Sequence, residues 1–202
     1  MKIVVVGATG MVGSRIVAEA LHRGHEVVAV TRRGTAVDGA TSAKAEFTDT
    51  PAILDLAKNA DALVVAVPPS RTSPEPIEVN IEAHQRIIDA KPTTRVLVVG
   101  GAGSLLEDGV RLVDTPGFPE DYKREGIWGS DLLERYRAAG DSLDWVFVSP
   151  SPVIAPGERT GHYTLGTDSP AGEHVSAENF AVGVLDELEK PAHRHQRITF
   201  AD

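Results

Sequence analysis

Continuous hydrophobic runs alternate with helically spaced ones along this chain. Lys2-Ile3-Val4-Val5-Val6 is unbroken and rich in β-branched residues, as suits a strand covered on both faces in a parallel sheet. Val12, Ile16 and Ala20 then recur at four-residue steps, with Val17 and Leu21 alongside, until Gly24 supplies a helix stop. Glu26–Thr31 predicts a second strand. The alternation continues with a brief third strand over 43–47, a helix over 52–59 opened by Pro51 at N1, and a fourth strand over 61–67. Ile77, Ile81, Ala83, Ile87 and Ile88 define the next helix, which includes His84 as a packing or surface residue. Arg95–Val99 is the fifth strand, Leu132, Leu133 and Tyr136 form a helix face, and 144–149 is the sixth strand. After an extended excursion over 161–166, Ser176 caps a helix carrying Phe180, Val184, Leu185 and Leu188. Pro191 stops it, and 196–200 is a final strand. Residues 34–44 hold few large apolar side chains, so the helix expected there is short or missing. Residues 70–76 read as a polar, proline-rich loop, either mobile or facing the substrate.

The order of elements predicts an α/β fold: a Rossmann-type, doubly wound, mainly parallel sheet of about seven strands with helices on both faces, as a single domain over 1–202. Between the first strand and helix lies Gly7-Ala8-Thr9-Gly10-Met11-Val12-Gly13. Glycines at these points permit a tight turn, close backbone approach to a pyrophosphate, and close packing of helix on strand. The helix start adds free N–H groups and a positive dipole end. The second strand ends in Thr31-Arg32-Arg33, where an NAD-selective site would place a carboxylate for the ribose 2′-hydroxyl. Guanidinium groups bind a 2′-phosphate bidentately and the threonine hydroxyl can add a hydrogen bond, so NADP(H) is expected over NAD(H). The plainer alternative is that Arg32 and Arg33 are solvated loop charges. Ala66-Val67-Pro68 ends the fourth strand on the ligand side and is expected to pass the cofactor ribose.

Composition narrows the partners. A chain of 202 residues, 42% hydrophobic, suits one well-packed domain, and no apolar run approaches a bilayer-spanning length. Met1 leads straight into the first strand, so a cytoplasmic protein is expected. There are no cysteines, which excludes disulfides and thiol catalysis. A net charge of -9 disfavours nucleic acid, which leaves a small molecule as the expected partner, with no membrane partner and a monomer or homodimer as the assembly. His193 and His195 lack a third metal ligand, and no metal is expected.

The spacing G-x-x-G-x-x-G and the stretch GATGMVGSRIVAEALHRGHEVVAVTRR resemble the atypical branch of the short-chain dehydrogenase/reductase superfamily. VLVVGGAGSLLEDGVRLVDTPGFPEDYKREG and SLDWVFVSPSPVIAPGERTGHYTLG are similar to its NADH-flavin reductase-like group, whose wider kin include biliverdin reductase B. The resemblance implies hydride transfer from NADPH, or from either nicotinamide cofactor, to a flavin or quinone-like flat acceptor. Flavin is then a substrate rather than a tightly bound cofactor. It also implies adenine contacts at Glu46 and Phe47, against a plain reading of Glu46 as a solvated strand end. The substrate-side elements fall at about 100–126 and 149–175, with 150–157 a stiff proline wall.

The superfamily's usual Tyr-x-x-x-Lys acid is missing: Gly126, Gly140 and Thr167 stand where lysine would follow Tyr122, Tyr136 and Tyr163. This disfavours alcohol dehydrogenase and sugar-nucleotide epimerase chemistry. An acceptor whose reduced anion is delocalised needs a dedicated acid less. The remaining candidates are Ser104, which either presents a hydroxyl near the nicotinamide or finishes a turn, and Tyr122, which by family position stands at the acceptor site or is structural. A non-catalytic redox sensor that binds NADP(H) is the alternative function.

Overall fold

The computed structural model describes residues 1–71 and 73–202. Over these the chain runs β1 (Lys2–Val6), α1 (Met11–His22), β2 (Glu26–Thr31), β3 (Thr41–Lys44), α2 (Thr50–Ala57), β4 (Ala62–Val65), α3 (Ile77–Ala90) and β5 (Arg95–Val99). A 3₁₀ turn at Ala102–Ser104 follows, then β6 (Leu106–Glu107), β7 (Val110–Arg111), α4 (Glu120–Ala139), β8 (Trp145–Pro150) and β9 (Val153–Ala155). The chain closes with β10 (Thr164–Gly166), β11 (His174–Ser176), α5 (Ala177–Glu189) and β12 (Gln196–Ala201). Eight strands form one sheet in the order β10-β12-β8-β5-β4-β1-β2-β3. Every neighbouring pair is parallel except β10 with β12, so the expected parallel sheet gains an antiparallel edge strand. Strands β6–β7 and β9–β11 are separate two-stranded ribbons.

Period-two alternation splits the strand residues between two cores. Ile3, Val5, Val64, Leu97, Val146 and Ile198 meet Ile16, Val17, Phe180 and Val184 of α1 and α5. Val4, Val6, Leu63, Val96 and Phe147 meet Ile53, Ile81, Ile87, Trp128 and Leu132 of α2, α3 and α4. Both faces are covered, which explains why the strands read as continuous apolar runs. No helix of the described residues is long and apolar enough to cross a membrane.

Boundaries shift where an edge or a divergence blurs the pattern. The third strand is Thr41–Lys44 and not 43–47, because it lies at the sheet edge with polar, mostly exposed residues that carry no apolar signal. Phe47 leaves the strand and packs its ring edge-on to His84 at 4.7 Å. Helix α2 starts at Thr50, where the Asp49 side chain accepts from the Ala52 amide at 3.3 Å. The fourth strand stops at Val65, since Ala66 turns against the first glycine loop. Thr72, within the 70–76 loop, lies outside the described residues.

Candidate active site

Strand order reverses between β1 and β4, and there the turns after the two strands touch. Gly7 adopts φ +86°, and a Cβ on it would lie 2.4 Å from the Ala66 carbonyl oxygen. A Cβ on Gly13 would lie 2.1 Å from the Gly7 oxygen, so only hydrogen there lets α1 start directly on the turn. The turn is fixed from behind: the Gly7 and Ala8 amides donate to Val30 O at 3.2 and 3.3 Å, and the Gly10 amide to Gly7 O at 2.9 Å. Helix α1 has Gly10 at its N-cap, no side-chain cap and no acidic residue in its first turn. The amides of Met11, Val12 and Gly13 therefore open toward the crevice without a competing carboxylate. Thr9, Gly10 and Met11 are exposed at its mouth. This is a shape and polarity that a dinucleotide pyrophosphate fits.

At the end of β2, Thr31 is buried and its hydroxyl accepts from the Thr35 amide at 2.8 Å. That bond shapes the turn, so Thr31 contributes scaffold as well as a hydroxyl. Arg32 and Arg33 stand exposed, and neither guanidinium has a hydrogen bond or ion pair among the described residues. Glu46 is exposed in the loop after β3, whereas the Phe47 ring is packed in the second core. Val67 is held by Asn80, whose amide donates to the Val67 carbonyl at 3.0 Å, and Pro68 is exposed beyond it.

The glycines after β5 make room for neighbouring elements. A Cβ on Gly100 would lie 2.0 Å from the Phe147 ring, and one on Gly103 2.5 Å from the Gly126 Cα. On Gly129 it would lie 3.2 Å from the Gly101 nitrogen. These positions admit the close approach of α4 and β8. Ser104 is likewise turned inward: it is 3% exposed, donates to Gly101 O at 3.0 Å and lies 3.4 Å from the Ser149 hydroxyl. It finishes the turn and does not present a hydroxyl to the crevice. The segment 150–157 is no plain proline wall either, since β9 within it pairs with β11 and leaves Val153 exposed.

Of the three tyrosines, Tyr136 is fully buried against His84 Nδ1 at 3.1 Å, and Tyr163 bonds Asp186 at 2.8 Å. Burial raises both phenols above their ordinary range. Tyr122, in the first turn of α4, is 46% exposed with the Arg71 guanidinium 4.4 Å over its ring. Arg71 also pairs with Glu125 at 2.8 Å, and Arg124 donates to the carbonyls of Ser73 and Glu75. The start of α4 thus grips the loop after β4. His84 is a core residue, and loss of hydration holds its imidazole down to about 3. His193 bonds Glu187 at 2.7 Å while His195 packs on Trp145, so the two do not converge.

Sequence reasoning passed over two residues that organise this region. Asn80, on the apolar side of α3, also accepts from the Trp128 indole at 2.8 Å and so ties the Val67 loop to α4. Arg197, fully buried in β12, pairs with Asp168 at 2.6 Å and donates to Ser104. The available signal was a polar side chain inside an otherwise apolar pattern.

Comparison with known proteins agrees with this geometry. The pattern of the NAD(P)H-binding family matches residues 7–191. YwnB of Bacillus subtilis, itself uncharacterised, is 37% identical over 212 aligned positions covering 98% of this chain and 97% of that protein. A Streptococcus pneumoniae structure provisionally assigned as an NADH-flavin reductase superposes with TM-score 0.85 at 33% identity, covering 100% and 99% of the two chains. A Bacteroides thetaiotaomicron structure provisionally assigned as an epimerase gives 0.86 at 36% identity over 99% and 96%.

Proposed function

The chain belongs to the NAD(P)H-binding family, and on that premise we propose that it is an NADPH-preferring reductase that passes hydride to a flavin or quinone-like flat acceptor. The observation that carries the reading is the pairing of an uncapped glycine cradle at the strand switch point with two unengaged guanidinium groups at the end of β2. Bound there, the cofactor would supply a hydride, a proton carried with its electron pair. The first amides of α1 would hold the pyrophosphate, and Arg32 and Arg33 the 2′-phosphate. Tyr122 is the one tyrosine whose ring is open enough to meet an acceptor. With Ser104 engaged inside, no side chain of the described site is set up as a dedicated proton donor, which favours an acceptor that tolerates becoming an anion. Catalysis then rests on bringing two flat rings together.

The assay is loss of NADPH absorbance with FMN, FAD and quinones, run against NADH. Turnover with at least one acceptor and preference for NADPH are expected. Tight NADPH binding with no turnover on any acceptor would replace this reading with a redox sensor.

A further inference from the structure

Arg197 lies on the strand face opposite Ile198 and Phe200, where an apolar residue would serve packing equally well. Burying a cation costs several kcal/mol unless every donor is met, and here the donors are directed with care. Nε and Nη2 donate to Asp168 Oδ1 at 3.0 and 2.6 Å, and Nη2 also to the Asp168 carbonyl at 2.9 Å. Nη1 donates to the Ser104 carbonyl and to its hydroxyl, the latter at 3.1 Å. Ser104 passes the constraint to Gly101 O at 3.0 Å, at the start of the turn after β5. Asp168 passes it outward: its carbonyl accepts from the Leu106 amide at 2.8 Å, and its carboxylate from Arg137 of α4 at 2.8 Å. Helix α4 in turn packs Gly129 against the Gly101 nitrogen. The turn over 100–104 is therefore gripped from the sheet by Arg197 and from the side by α4, and Asp168 joins the two grips.

We infer that Arg197 is a positioning residue: through Ser104 and Asp168 it fixes the turn after β5 that forms the floor for the nicotinamide end of the cofactor, and locks the 164–175 segment to that floor. The inference rests on the proposed use of the crevice for NADPH. It assigns Arg197 no contact with the cofactor or acceptor.

The test replaces the pair together, Arg197→Met with Asp168→Asn, because removing both charges avoids stranding one in the interior. The emission of bound NADPH, which responds to how firmly the nicotinamide is held, is read beside thermal melting, NADPH affinity and FMN turnover. The variant should melt near the wild-type temperature and bind NADPH within about 2-fold, since the cradle and Arg32-Arg33 are untouched. Nicotinamide emission should fall toward that of free NADPH, and kcat should drop about 10-fold or more with a smaller change in KM. Arg197→Lys, which keeps the charge with fewer donors, should fall between. Unchanged emission in the folded double variant overturns the inference, as does wild-type protein that binds NADPH without altering its emission. Should the double variant not fold, Arg197→Lys decides by the same emission. Because emission needs no acceptor, failure of the wild type to reduce FMN strikes the proposed function alone.

Discussion

Arginine marks both sides of the crevice and has opposite standing on each. After β2, Arg32 and Arg33 are exposed and unengaged among the described residues, whereas in β12 Arg197 is buried with its nitrogens directed at Asp168 and Ser104. A free guanidinium can contribute its charge to an incoming anion; a saturated one can only hold its neighbours in place. The β2 side is thus built with unfilled donors, the α1 amides included, and the β12 side with filled ones. The difference teaches that charge near a site is informative only once its partners are counted.

The strongest way to break this contrast is Gly13→Ala. The new Cβ would press on the Gly7 carbonyl, a backbone atom that cannot step aside, so α1 must move off the turn. NADPH affinity by calorimetry should fall about 100-fold, on the order of 3 kcal/mol, with Arg32 and Arg33 still in place. Normal affinity would show that the amides of α1 are not the pyrophosphate site. Next comes Arg32→Ala with Arg33→Ala, expected to weaken NADPH about 30-fold and NADH less than about 2-fold. Equal losses for both cofactors would remove the assignment of a 2′-phosphate site.

A third change probes the seam between the sides. Glu19 of α1 takes Arg159 from the segment between β9 and β10 through two bonds of 2.6 and 2.8 Å, and Arg23 at 2.7 Å. The Arg159 bonds, and then the Arg23 bond, outweigh burial and hold its carboxyl at about 2. Because the folded value lies below the unfolded one, this stabilisation is full above about pH 4.5 and is lost as pH falls toward 2. Glu19→Gln should melt earlier at neutral pH, by about 1–2 kcal/mol of stability, with the gap to wild type closing between those two pH values. A gap independent of pH would mean that the ion pairs do not carry the seam. The smallest effect is expected from Arg71→Ala, which removes an exposed cation–π contact worth about 0.5–1 kcal/mol. Acceptor KM should rise about 2- to 3-fold with NADPH affinity unchanged, and a large loss of NADPH affinity would move Arg71 to the cofactor side.

The same division explains what could be read from the chain. The cradle was legible because its demands are local: Gly7 needs a positive φ, and Gly13 faces a carbonyl six residues earlier. The strands and helices were legible because both sheet faces are covered. The turn after β5 stayed open between two readings because its neighbours come from afar. Gly103 meets Gly126 from α4, and Ser104 is drawn inward by Arg197, ninety-three positions away. No local pattern distinguishes a glycine that admits a ligand from one that admits a helix. Phe47 was displaced for a related reason, since the ring that completes the second core comes from a loop and not from the strand before it.

The strand order also bears on how this molecule behaves in company. Its sheet ends on one side at β3, four residues of threonine, serine, alanine and lysine, and on the other at β10, three residues long. Without β10, the buried strand β12 would offer its open backbone to any passing chain. Instead Leu165 and its two neighbours run against it in the opposite direction. Among the described residues the sheet therefore shows neighbours only short, polar or reversed margins, which are poor templates for growth into fibres or accidental dimers.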